Sequence, residues 1–214
     1  MAGTHLASSA RVLWRILERR GCDPAAVFRE QGLDPGLLTD PRARYPSTRI
    51  AAAWERADAL LADPCFGLEA ADAWRPSDYH AVGYAMLASR TVRRAIERMV
   101  RYFRIINDLA GFEMVATPQR LTVTFVPPAG PALPATLEQA RWALILSVCR
   151  AIHDGPFDPL EVTLRQQAPA CRDRIEALVP LPGPLRRADR QHGVRPRERR
   201  ASAGERQPRT RRRE

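Results

Sequence analysis

The residue types that most often do chemistry are present in this chain but are not assembled. Its four histidines, His5, His80, His153 and His192, lie far apart along the sequence, and no Gly-rich phosphate loop, nucleophile elbow or metal-ligand spacing accompanies them. His153, beside Asp154 and behind a long apolar run, reads as a histidine favoured by the dipole at a helix C-terminus rather than as a general base. The four cysteines, Cys22, Cys65, Cys149 and Cys171, show no C-x-x-C spacing, and two fall in apolar helical patterns. That scatter predicts buried free thiols rather than a disulfide or zinc framework. The pattern points away from an enzyme, a metal site or another cofactor. What the sequence does concentrate is recognition chemistry. Trp74, Tyr79, His80 and Tyr84 surround a small-residue segment containing Gly83 and Ala85, Arg101 and Tyr102 follow on the next helix, and Trp142 lies on an apolar one. A small ligand needs a largely apolar pocket with a few aimed polar groups, and Arg101 can balance an anion. The same aromatics equally serve as core filling, with Gly83 allowing tight helix packing and Arg101 as a surface charge.

The elements that must position these residues are mostly helical. Leu6, Ala10, Leu13, Trp14 and Leu17 recur at helical spacing from Leu6 to Arg20, and Gly21 stops the run. Asp23-Pro24 and Asp34-Pro35 each place a capping acid before a Pro at the first helical position, predicting two short helices. The second has too little length before Pro41 to act as a DNA-recognition helix. Ser47 caps a helix to about Ala62, and Asp63-Pro64 starts a further short one. Tyr79 to Ala88 is next. Thr91 then caps an amphipathic helix whose apolar side runs from Val92 through Ile96, Met99 and Phe103 to Ile106. Its other side holds Arg93, Arg94, Glu97, Arg98, Arg101 and Arg104, a basic stripe that could track phosphates but reads rather as a solvated face, since Glu97 sits within it and can pair with Arg93 and Arg101. The period then changes to two: Glu113–Thr117 and Leu121–Val126 predict a half-buried hairpin within residues 113–126. A helix from about Leu137 to Ile152 is apolar on nearly all sides between Trp142 and Cys149, which implies burial on two faces. A strand over 160–165 and a helix from Arg172 to Leu178 complete an α+β, helix-rich domain with a small antiparallel or mixed sheet.

Between Leu178 and Pro184 the chain changes character. The segment from Arg186 to Glu214 holds twelve arginines against four acids, so it carries eight of the ten net positive charges of the 214-residue chain. Its only sizeable aliphatic residue is Val194, and such a segment cannot bury enough surface to offset ordering. The sequence therefore divides into a near-neutral domain, residues 4–179, and a disordered basic tail, residues 180–214. The longest apolar run is far short of a membrane span and no signal-peptide pattern opens the chain, which predicts a cytoplasmic protein. Clustered arginines attract nucleic acid non-specifically, so a small nucleic-acid- or anionic-surface-binding protein acting through the tail is the rival reading.

The stretch Gly83-Tyr84-Ala85-Met86-Leu87-Ala88-Ser89-Arg90-Thr91-Val92, running into Ala95-Ile96-Glu97-Arg98 and Arg101-Tyr102, resembles the N-terminal sensing domain of AraC/XylS-type transcription regulators, in the helical, arabinose-binding-like subfamily. Gly32-Leu33-Asp34-Pro35 and Asp63-Pro64-Cys65-Phe66-Gly67-Leu68 are also similar to it, and the resemblance covers about residues 6 to 178. It implies a small-molecule effector of unspecified identity and self-association, as a homodimer or with an intact paralogue. The family's paired helix-turn-helix module does not follow, so specific DNA binding by this chain is not expected. The family continues after Leu178 with a strand of the type C-P-V-R-F-G-A-P. Degenerate codons for Leu181 to Asp189, read one nucleotide later, permit that string, so the resemblance implies a truncated regulator with a frameshift near 178–184. Loss of that strand would leave residues 160–165 as an unpaired edge.

Overall fold

Two Asp-Pro steps and one threonine start helices as their chemistry requires. The computed structural model describes residues 3–129, 132–153, 157–164, 172–178 and 186–187. Strand β1 (Thr4–Leu6) leads through a 3-10 turn (Ala7–Ala10) into α1 (Arg11–Arg19). Asp23 accepts from the Ala25 and Ala26 amides at 2.9 and 3.3 Å and opens α2 (Pro24–Glu30). Asp34 caps a 3-10 turn, Pro35–Thr39, in the same way. Strand β2 (Arg44–Pro46) pairs antiparallel with β1 and runs directly into α3 (Ser47–Leu61). The turn Phe66–Glu69, the short α4 (Ala70–Ala73) and the turn Pro76–Tyr79 lead to α5 (His80–Leu87). Thr91 accepts from the Arg94 amide at 3.2 Å at the start of α6 (Val92–Ile106). Strands β3 (Gly111–Ala116) and β4 (Leu121–Val126) form an antiparallel hairpin in which Phe112 faces Phe125 and Met114 faces Val123. Helix α7 (Ala135–Ile152), β5 (Thr163–Leu164), α8 (Arg172–Leu178) and β6 (Arg186–Arg187) follow. The result is the expected helix-rich α+β class.

Two hydrophobic cores meet on α7. The first gathers α1, α2, α3 and the 66–73 segment around Leu13, Phe28, Trp54 and Phe66, and it receives Ala140 of α7. The second gathers α5, α6, the hairpin and α7 around Met86, Ile96, Phe103, Phe112 and Val148. Burial of α7 from both sides is thus the physical content of its continuous apolar run. Two glycines permit the tight approaches. A Cβ on Gly67 would collide with the carbonyl of Thr136 at the start of α7, and one on Gly83 would collide with the carbonyl of Pro76. The close neighbour of Gly83 is therefore backbone of the preceding turn.

Several expectations are corrected. The first predicted helix, Leu6–Arg20, begins as a strand and a 3-10 turn, because Thr4, His5 and Leu6 pair with Pro46, Tyr45 and Arg44; a partner about forty residues away leaves no periodic trace. Ser47 does not cap α3. Pro46 holds the cap position and the Ser47 hydroxyl is buried without a hydrogen-bond partner among the described residues. Glu97 pairs with Arg93 and Arg94, at 3.1 and 3.2 Å, rather than with Arg101. The expected strand over 160–165 is limited to Thr163–Leu164 in the described residues. It is not an unpaired edge, because it lies parallel to β6, Thr163 against Arg186 and Leu164 against Arg187. Cys65 is disulfide-bonded, against the expectation of free thiols throughout, whereas Cys22 and Cys149 are free. The predicted disordered tail falls, apart from Arg186 and Arg187, outside the described residues.

Candidate functional site

The seven residues proposed from sequence separate into two groups. Trp74, Tyr79, His80 and Trp142 turn inward, whereas Tyr84, Arg101 and Tyr102 lie on the outer surface of α5 and α6.

Within the inward group Trp74 packs against both cores and marks their seam, Tyr79 packs against the second, and Trp142 packs against the second and against a small third cluster around Cys65 and Ile175. Trp74 ends α4. Its ring meets Tyr79 edge-on at 5.8 Å, and Trp142 on α7 meets Phe112 edge-on at 5.9 Å. The indole N–H groups of Trp74 and Trp142 are both buried and have no hydrogen-bond partner among the described residues. That is costly, because a buried donor left unmade loses its hydration without recompense, about 1–3 kcal/mol. Beside Trp142 on the same helix, the Arg141 guanidinium lies 3.6 Å over the Phe125 ring, a cation–π contact made in a desolvated setting. Its field reaches two further groups. Burial pushes the Tyr79 phenol well above its usual value, with Arg141 pulling the other way. Burial also lowers His5 from 6.5 to about 4, and Arg141 and then Arg44 add to that effect.

Hydrogen bonding fixes the tautomer of His5 and orients the ring of His80. The Ser9 hydroxyl donates to the Leu6 carbonyl at 2.7 Å, so His5 Nδ1 donates to Ser9 Oγ at 3.2 Å. Asn107 Oδ1 accepts the amides of Leu109 and Ala110, which leaves its Nδ2 to donate to His5 Nε2 at 2.8 Å. A proton on Nε2 would face that donor, an arrangement that reinforces the neutral ring. His80 holds a left-handed backbone, φ 46°, a conformation that costs a non-glycine residue about 1–3 kcal/mol. Its Nε2 lies 3.0 Å from Ser8 Oγ, and Ser8 in turn donates to the Asp78 carbonyl at 2.8 Å. Asp78 is fully buried. It accepts from Arg15 and from the Arg75 amide, yet burial still pushes its carboxyl up. This strap binds α1 to the 75–80 segment, and His80 belongs to the strap more than to the pair of indoles.

Outside, Tyr84 is 58% and Tyr102 39% exposed, and the Arg101 guanidinium lies 5.5 Å over the Tyr102 ring. His153 ends α7, its amide bonded to the Cys149 carbonyl at 3.0 Å and its ring 5.4 Å from Phe157. No group of three His, Cys, Asp or Glu side chains among the described residues can hold a metal ion, and no helix among them is long and apolar enough to cross a membrane. Sequence reasoning missed Arg141, His5, Asn107 and Phe125. Arg141 did leave a signal, as the one charge in the apolar stretch from Ala140 to Cys149.

Residues 21–188 match the family described as the N-terminal arabinose-binding domain of the AraC transcription regulator, and the match runs through the compositional break at 178–184. Over 106 residues the sequence is 26% identical to an ornithine utilization regulator of Pseudomonas aeruginosa, which covers 50% of this chain and 31% of that relative. The chain thus spans about a third of the length of this curated relative.

Proposed function

The chain belongs to the family of N-terminal arabinose-binding domains of AraC transcription regulators, and from that premise we propose that it is the effector-sensing part of such a regulator, with the effector held at the seam between its two cores. The observation that carries the reading is the pair of buried, unpartnered indole N–H donors of Trp74 and Trp142. Buried polar groups are ordinarily satisfied, and two donors near the part-buried Arg141 guanidinium suit a ligand rich in acceptor oxygens, with Tyr79, Phe112 and Phe125 supplying the apolar walls. A ligand there touches both cores through one helix, α7, so binding can bias how they sit together; regulation needs that differential contact. Self-association belongs to the same reading, as the means by which a change in one subunit reaches another.

The matched relative's name makes ornithine the first compound to try, followed by other amino acids, small carboxylates and sugars. Thermal melting of the full chain is followed with each compound, since a ligand binding only the folded state at about 100 times its Kd adds about 2.7 kcal/mol. Trp74→Phe and Trp142→Phe should abolish the shift while leaving the unliganded melting temperature nearly unchanged. A compound that shifts wild type and both variants equally places the effector elsewhere.

A further inference from the structure

We infer that the outer face of α6 docks an acidic, amphipathic helix of a partner protein. Arg90, Arg94, Arg98, Arg101 and Ile105 follow one another at intervals of three or four residues, so their side chains fall on one strip along the helix and its N-terminal approach. Tyr102 flanks the strip. A groove of about 620 Å³ runs along it, lined by these four arginines, Tyr102, Ala88, Thr91 and one acid, Glu97. That acid is already committed to Arg93 and Arg94. Among the described residues neither Arg90 nor Arg101 has a carboxylate within salt-bridge distance. Arg98 is spent differently. It donates to the Ala85 carbonyl at 2.6 Å and to Ser89 Oγ at 2.9 Å, and so pins the groove wall to α5.

Charge alone would fit a phosphate backbone as well as a carboxylate-bearing helix. The apolar residues decide between them. Ile105 is 54% exposed at the end of the strip and Tyr102 stands open beside Arg101. Aliphatic surface gains nothing from phosphates, whereas arginine and tyrosine around an apolar contact are the composition of protein–protein hot spots. From Arg94 to Ile105 the strip is about 16 Å long at 1.5 Å per residue. That length is met by carboxylates at i, i+4 and i+7 of a second helix followed by an apolar turn.

The test uses the full chain and a fluorescein-labelled helical peptide of about 18 residues carrying Glu at i, i+4 and i+7 and leucines in the next turn, read by anisotropy at about 0.15 M salt. Arg90→Glu with Arg101→Glu should weaken binding at least about tenfold. Ile105→Ser, and replacement of the peptide's leucines by serine, should each weaken it, and the two together no more than either alone, which reads a direct contact. The basic segment after Arg186 binds the peptide in parallel in all variants, so the residual binding of the chain that carries Arg90→Glu, Arg101→Glu and Ile105→Ser together is subtracted as background, and an unchanged melting temperature shows that the fold is intact. Peptide affinity unmoved by the charge reversals, or absence of coupling to Ile105, overturns the proposal. If an 18-base-pair DNA duplex is instead the probe that responds to Arg90→Glu with Arg101→Glu, the face is a nucleic-acid contact and the proposal is also overturned.

Discussion

The two cores use the same residue types to different ends. In the first, Trp14 meets Phe28 edge-on at 5.3 Å, Phe28 meets Tyr45 at 6.5 Å, and Trp54 stacks on Phe66 at 5.4 Å. The Tyr45 hydroxyl donates to the Asp34 carbonyl, and neither Trp14 nor Trp54, the tryptophans that pack in this core alone, leaves its indole N–H among the buried unpartnered groups of the described residues. At the seam with the second core, aromatics meet at comparable distances, but two indole donors are left unmade, and the Arg141 guanidinium lies over Phe125 in the same core. The first core is finished as packing. The second leaves indole donors unmade, a departure from full polar satisfaction that the effector site proposed above would account for. The contrast can be broken by mutation from either side.

The largest effect belongs to the finished core. Phe28→Ala removes a fully buried ring that touches Trp14 and Tyr45 and should destabilise by about 3–5 kcal/mol, with loss of both cores in one transition. Urea denaturation measures it, and a loss under about 1 kcal/mol would mean that the first core is not the structural one.

Acid comes next and acts at His5. An unfolded His5 takes a proton near pH 6.5, whereas the folded ring resists until about 4. Stability from this residue is therefore complete above pH 6.5 and declines as pH falls toward 4, by at most about 3 kcal/mol. The charged groups facing the ring are Arg141, Arg44 and Asp108, and only Asp108 opposes the shift. His5→Gln should flatten the pH dependence of the urea midpoint in that window. An unchanged slope would free His5 from its link to Asn107.

Gly83→Ala should cost about 1–3 kcal/mol, since the new methyl meets backbone rather than a side chain that can move. A neutral outcome, read by thermal melting, would show room beside Pro76 and mean that Gly83 is not needed for close packing.

Where these elements were legible, the signal was local. Thr91 and the 3.6 period give α6 its bounds, and Asp-Pro steps mark α2 and the 35–39 turn, because each depends on residues within a few positions. The β1–β2 pair and the bond from His5 to Asn107 join residues about forty and one hundred positions apart, and no pattern in either segment announces its partner. For the candidate site, aromatic composition singled out Trp74, Tyr79 and Trp142 together with Tyr84 and Tyr102 and could not tell inward from outward. Tyr84 and Tyr102 are aromatics of the same kind, set on solvent faces by where α5 and α6 turn. Arg141 was hidden by its place at the N-terminal edge of the apolar run, where a charge reads as solvated until one asks what it must touch on a helix buried from both sides.

The smallest effect on stability should accompany the largest effect on function. Trp142→Phe keeps an aromatic ring against Phe112 and removes an N–H that has no partner. The lost ring area costs something, and deletion of a buried unmade donor returns about 1–3 kcal/mol, so the net change should be under about 1 kcal/mol in either direction. In the first core the matching change is Trp54→Phe, where the indole stacks fully on Phe66 at an interplanar angle of 14°. That substitution removes packing with no compensating gain and should cost more. Measured side by side in urea, the two tryptophans separate packing from an unmade donor: a larger loss at Trp142 than at Trp54 would mean that its indole is structural, and the effector would then have to be sought away from the seam.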